Sequence, residues 1–201
     1  MVNYRDHPPQ DHTYITQIND LTDDINKAKE FIDKSVASGG GDEPEAICCG
    51  FYDAVNKLTW SNDSVKVAIL IADAPCHGLG VSGDGIPNGC PLKHDPIEIA
   101  HEMAQKGITL YCCGCEPSLT PYRQFFTALS LITGGQYIPL NDAENLSNVI
   151  VGGTRQEISM EKMMAQVHQE VMKEAAEKGT RVDEEELTRR IHNLLNSKSG
   201  N

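Results

Sequence analysis

Four groups of residues in this chain have the types and spacing to do chemistry. The first is Asp73, which ends the apolar run Val67-Ala-Ile-Leu-Ile-Ala72. A short, bounded, β-branched run reads as a strand buried on both faces, as in a parallel sheet. In open α/β sheets, ligands bind beyond the carboxyl ends of the strands, where Asp73 sits. The second is Gly39-Gly40-Gly41-Asp42-Glu43-Pro44-Glu45. Glycines let backbone approach a ligand closely, and carboxylates from two neighbouring loops suit a hard cation. The same residues also fit a helix start, with Asp42 as N-cap and Glu45 reaching back to it. The third is Cys76-His77 with Cys90 and His94. Two thiols and two imidazoles are a zinc set in kind, although the spacing is not that of a common finger. The fourth is Cys112-Cys113-Gly114-Cys115, whose Cys-x-x-Cys lies at a strand end. A helix N-terminus would stabilise a thiolate there and a strand end does not, so buried strand cysteines are expected. Cys48 and Cys49 read as core.

The elements that must position these groups alternate strand and helix. Val2 to Arg5 reads as the tail of a strand and Asp6 to Asp11 as a turn. Thr13 to Ile18 alternates like a half-buried edge strand. Thr22 can cap a helix whose apolar face is Ile25, Ala28, Phe31, Ile32 and Val36. The next helix buries Ile47, Cys48, Phe51, Val55 and Leu58. After the Asp73 strand comes a long Gly- and Pro-rich loop from Ala74 to His94, a length more often functional than accidental. Asp95-Pro96-Ile97-Glu98 has the cap, proline and acid of a well-specified helix start. Ile108 to Cys113 is a strand, Thr120-Pro121 opens a helix, and Gln136 to Pro139 is a short strand. Asp142 begins a small helix carrying Leu146, Val149 and Ile150. Such alternation predicts an α/β fold with a doubly wound, mostly parallel sheet and helices on both faces. From about Val151 charged helix formers dominate. An apolar stripe of Ile158, Met163, Met164, Val167, Val171 and Ala175 stops at Gly179, and a final helix turns Leu187, Ile191, Leu194 and Leu195 inward. The domains expected are 1–153 and a helical extension over 154–201.

Composition narrows the function classes. The 201 residues carry a formal net charge of −12, which argues against a nucleic-acid partner. No apolar run reaches the roughly 20 residues that span a bilayer, so no membrane role is expected. Seven cysteines and no apolar leader suggest free thiols in a reducing, intracellular setting, the cytoplasm. No nucleophile elbow, phosphate loop or kinase signature is present. Gly80-x-x-Gly83-x-Gly85 lies in a loop without the strand and helix a dinucleotide fingerprint needs. No enzymatic activity is expected of this chain.

Gly-Gly-Gly-Asp-x-Pro-Glu, a helix, a buried strand and then Asp-Ala-Pro-x-His resembles a von Willebrand factor type A domain. Val2-Asn-Tyr-Arg-Asp-His-Pro-Pro-Gln-Asp11 and Gly83-Asp-Gly-Ile-Pro-Asn-Gly-Cys90 are most similar to the A domains found beside α-kinases. The resemblance runs from Val2 to about Gly153. It implies a Rossmann-like sheet with a divalent-cation adhesion site on top, where Asp73 and Glu45 are ligands and Asp42 belongs to an adjoining cation position. It implies Mg²⁺ or Ca²⁺ and a protein partner that offers a carboxylate. The family's first strand and its Asp-x-Ser-x-Ser loop have no counterpart here. Asp33-Lys34-Ser35-Val36-Ala37-Ser38 has the wrong spacing. The resemblance therefore implies an N-terminally truncated domain, weak cation binding and a gap between two parallel strands. Two other readings stay open: the recognition part of an α-kinase polypeptide, or a zinc-dependent activity at Cys76, Cys90 and His94. Oligomeric state is left undetermined.

Overall fold

The computed structural model describes residues 1–141 and 146–198. Asp142, the side chains of Val149, Leu194 and Leu195, and residues 199–201 lie outside the described residues. Two compact units are present, Met1–Ile150 and Val151–Asn201.

The first unit is mixed α/β. β1 (Val2–Tyr4) and β2 (Thr16–Ile18) form an antiparallel pair with Asn3 opposite Gln17. α1 (Ile25–Lys34) and α2 (Ile47–Asn56) follow. β3 (Lys66–Ala72), β4 (Ile108–Cys115) and β5 (Tyr137–Leu140) make a separate parallel sheet in that order. α3 (Pro96–Gln105) crosses from β3 to β4, and α4 (Arg123–Ile132) from β4 to β5. The register sets Leu70 opposite Cys112, and Cys112 opposite Tyr137. Because both crossovers advance in the same direction, a right-handed connection puts α3 and α4 on one face of the sheet. Both pack on β4 and on each other, and α2 packs on α3. Ile47, Met103, Ile108, Leu110, Phe126 and Leu129 fill the space between them, each 1% exposed or less. Each such side chain contributes about 1.5–3 kcal/mol of burial free energy.

The described strands therefore form a three-stranded parallel sheet beside a two-stranded pair, with no single doubly wound sheet among them. The crossover helices cover one face of the sheet, so β3 is not buried on both faces as expected: Leu70 faces the core, and Ile71 is 42% exposed. Between β1 and β3 lies a cavity of about 280 Å³, lined by Val2, Tyr4, Phe51, Trp60, Ala68 and Leu70. The Tyr4 hydroxyl crosses the gap and donates to the Ile71 carbonyl oxygen at 3.0 Å.

Local chemistry explains the starts of α1 and α3. Asp95 caps α3 through the amides of Ile97 and Glu98, with Pro96 at the first position, as expected. α1 is capped by Asp24, while Thr22 accepts from the Asp24 amide. Its expected buried face is not buried: no α1 residue is, and Ile25 and Ile32 are 69% and 57% exposed.

α5 (Leu146–Lys178) continues through Gly152 and Gly153 without a break, so among the described residues Leu146 and Ile150 belong to the long helix and not to a separate small one. In the second unit, α5 ends at Gly179 in the left-handed conformation. Asp183 then caps α6 (Glu184–Lys198) through the amides of Glu185 and Glu186. Val171 and Ala175 are buried, and Arg190 clamps Glu174 with two bonds of 2.7 and 3.0 Å. No described helix is long and apolar enough to cross a membrane.

Candidate cation site

The expected capping role of Asp42 and Glu45 does not hold. α2 starts at Ile47 behind Ala46, with no side-chain cap. The reason lies in the preceding backbone, which is held extended. The Glu45 amide donates to Pro75 O and the Ala46 amide to Arg5 O, and Glu45 bridges Cys76 in parallel. Residues 45 and 46 are thereby laid between the ends of β1 and β3, and their neighbours' acids are free for other partners.

Those acids converge with the turn after β1. Asp6, fully buried, is bonded by the His7 amide at 2.6 Å and by His77 Nε2 at 2.6 Å through the same oxygen. His77 Nδ1 is 2.8 Å from Asp84 Oδ1. Asp84 in turn accepts from the amides of Gly78 and Ile86. Asp42 Oδ2 accepts from the Gly85 amide at 2.6 Å. Ligand atoms of Asp6, Asp42 and His77 all lie within 4.8 Å of one another. The long loop is thus tied to the β1 turn through His77, Asp84 and Gly85. A Cβ at Gly85 would stand 3.2 Å from Asp42 Oδ2 and would push aside the end of the Gln10 side chain, so glycine keeps the approach close.

The electrostatics are strained. Burial would lower the pKa of His77, yet its bonds to Asp6 and Asp84 outweigh that and hold it above its ordinary value. Burial raises the carboxyl of Asp6, aided by Asp42 and opposed by His77. Glu45 is pushed up to about 7, first by burial and then by the negative charges of Asp6 and Asp73. Asp6 Oδ2, Asp42 Oδ1, Glu45 Oε2 and Gln10 Oε1 are all buried without a hydrogen-bond partner. One unsatisfied buried polar atom costs about 1–3 kcal/mol, more if charged, and either a proton shared by Asp6 and Asp42 or a bound cation would relieve that cost. Oxygen donors of this kind, mostly carboxylates, fit Ca²⁺ or Mg²⁺ and exclude an anion. His77, held between the carboxylates of Asp84 and Asp6, fixes the orientation of the Asp6 carboxylate.

Of the three acids read from the sequence, Asp42 is in the close ligand group with Asp6 and His77, and Glu45 lies outside it but near enough to Asp6 for their charges to repel. Asp73 is not in the close ligand group. It lines a neighbouring cavity with Glu45, Arg5 and Tyr14, near enough to Glu45 for their charges to repel. Asp6 escaped sequence reading because it sits in what reads as an ordinary proline turn. The available signal was the density of ligand-type side chains in Asp6-His7-Pro8-Pro9-Gln10-Asp11. The expected zinc set of Cys76, Cys90 and His94, with His77, is not assembled. Cys76 pairs with Cys48, and His77 is held between two carboxylates. All seven cysteines are free thiols, six of them buried. In the Cys112–Cys115 run, Cys112 and Cys113 are buried strand residues, and burial pushes Cys112 up to about 12 and Cys113 to about 11, as inert thiols require.

No family model matches the chain. A stretch of 71 residues, 33% of the chain, is 40% identical to the α-protein kinase vwkA of Dictyostelium discoideum. The match spans 11% of that relative's length. Among solved structures, an uncharacterized membrane spanning protein from Vibrio fischeri is 18% identical and covers 65% of each chain. Its TM-score is 0.33, an overlap too loose to bear on fold or function. The chain thus shares a partial, distant likeness with a relative named as an α-protein kinase.

Proposed function

We propose that the first unit is a von Willebrand A-like protein-binding module, not an enzyme, that grips its partner through a divalent cation. Asp6, Asp42 and Glu45 would hold the ion, with Gln10 as a neutral oxygen donor and His77 fixing the Asp6 carboxylate. The bound ion would supply an electrophilic anchor for a carboxylate on the partner. Asp73, beside Glu45 at the mouth of the neighbouring cavity, would set the negative rim that makes an uncharged or acidic partner depend on the ion. In this reading β1–β2 and β3–β4–β5 are the two sides of one doubly wound layout, separated at the Tyr4–Ile71 contact. The chain's charge of −12 disfavours nucleic acid, and its seven free thiols favour a reducing compartment.

The observation that carries the reading is the group of buried, partnerless oxygens on Asp6, Asp42 and Glu45. Calorimetric titration of the purified chain with Ca²⁺ and with Mg²⁺ tests it. Binding near one ion per chain, weakened at least tenfold by Asp42→Asn and by Glu45→Gln, is expected. Undetectable binding of both ions by a folded chain overturns it. The likeness to an α-protein kinase favours one elaboration, that the module serves as the recognition part of such a kinase, with phosphotransfer carried elsewhere.

A further inference from the structure

Cys49 is the third residue of α2, and its thiol meets two groups from distant segments. Cys49 Sγ lies 3.6 Å from His7 Nε2 and 3.5 Å from Cys90 Sγ. Cys90 Sγ lies 3.6 Å from His7 Nε2. The three atoms make a nearly equilateral triangle. Around a tetrahedral zinc with Zn–S of about 2.3 Å and Zn–N of about 2.0 Å, ligand atoms stand roughly 3.5–3.8 Å apart, which is this triangle. A disulfide would need the sulfurs at about 2.05 Å, so the two thiols are not bridged. His7, Cys49 and Cys90 are all buried.

A second observation points to the same place. Four residues beyond Cys90, the His94 ring stacks on Tyr52 with centroids 4.0 Å apart. Its Nδ1 is buried and has no hydrogen-bond partner. The backbone between them folds back, with the Lys93 amide donating to Cys90 O and Lys93 itself at φ 63°, a left-handed conformation a lysine rarely adopts. His94 itself lies outside the close group of His7, Cys49 and Cys90, whose ligand atoms are all within 4.8 Å of one another, so it would have to swing in to bind.

We propose that His7, Cys49 and Cys90 bind a zinc ion and that His94 closes its fourth position. Two thiolates and two imidazoles select a borderline-soft, tetrahedral ion over the hard cations suited to the neighbouring oxygen cluster. The ligands come from the turn after β1, from α2 and from the long loop, so the ion staples three segments that no covalent bond joins. Its binding free energy is folding free energy for the loop. The ligands are distinct from Asp6, Asp42 and Glu45, and the inference does not rest on the adhesion reading.

The whole chain, purified with a phosphine reductant and no chelator, tests this by elemental analysis and zinc-edge X-ray absorption. One zinc per chain with two sulfur neighbours is expected. Replacement by Co²⁺ should give thiolate charge-transfer bands and visible bands of tetrahedral intensity. Cys49→Ser and Cys90→Ser should abolish those bands, and Cys115→Ser should leave them unchanged. His94→Ala should weaken cobalt binding by at least the roughly tenfold that loss of an outer partner costs. A zinc-free chain that stays folded and takes up no Co²⁺ overturns the inference. So does zinc with no sulfur neighbour, or a Cys49–Cys90 disulfide formed despite the reductant. The absorption measurement uses the unaltered chain, so an unfolded variant does not decide the outcome.

Discussion

Glu45 offers the sharpest prediction. Its carboxyl is shifted from an ordinary 4.5 to about 7 by burial and by Asp6, Asp73 and Asp42, with His77 opposing. The folded chain therefore keeps a proton that the unfolded chain has released. Stability from this group is complete below about pH 4.5 and is lost as pH rises through about 7. A displacement of that size corresponds to about 3 kcal/mol, and for a half-buried side chain roughly 2 kcal/mol remains after screening. In a chain of this length, that is a fall of about 4–8 °C in Tm. The assay is a set of thermal melts from pH 5 to pH 8.5 in chelator, for the unaltered chain and Glu45→Gln. The difference between them isolates Glu45 from His7 and His94, whose lowered pKa values act in the opposite sense. Relative to the variant, the unaltered chain should lose stability across this range. Ca²⁺ at about 100 times its Kd should add roughly 2.7 kcal/mol to the unaltered chain and reverse the slope. Parallel curves for the two proteins, or a slope untouched by Ca²⁺, would refute the reasoning about the oxygen cluster.

Three further outcomes follow from the geometry. Gly135→Ala would place a Cβ 2.0 Å from Leu110 O, a backbone atom that cannot step aside. A loss of about 3 kcal/mol or more in chemical denaturation is expected, at the upper end of overpacking costs. Tyr4→Phe removes the donor to Ile71 O and should cost about 1 kcal/mol in the same measurement. Asp24→Ala removes the α1 cap, worth about 1 kcal/mol to that helix. Because α1 buries no residue, global stability should stay unchanged while amide exchange in Ile25–Lys34 accelerates.

Much of the first unit was legible because local signals agreed with packing. Asp95-Pro96 specified the start of α3, and the apolar run of β4 is buried as its pattern demands. Burial of β3 and α1 was misread for one physical reason. Periodicity reports which face is apolar, and only neighbours decide whether that face is covered. Asp42 and Glu45 were recognised as oxygen donors, but their helix-cap alternative was excluded only by the Pro75 and Arg5 carbonyls that hold residues 45 and 46 extended. Asp6, His7 and Cys49 were illegible because their partners lie 71, 83 and 41 residues away. Spacing along a chain carries no trace of such meetings.

The facing borders of β1 and β3 have one more consequence. Among the described residues neither border has a strand beside it, and the phenol of Tyr4 is the strut between them. An open ladder is a rail on which any extended chain, including another copy of this one, can dock backbone to backbone. Concentrated preparations should therefore build intermolecular sheet along this seam, and Val67→Pro, placed on the same outward rail of β3 as Ile71, should suppress that association.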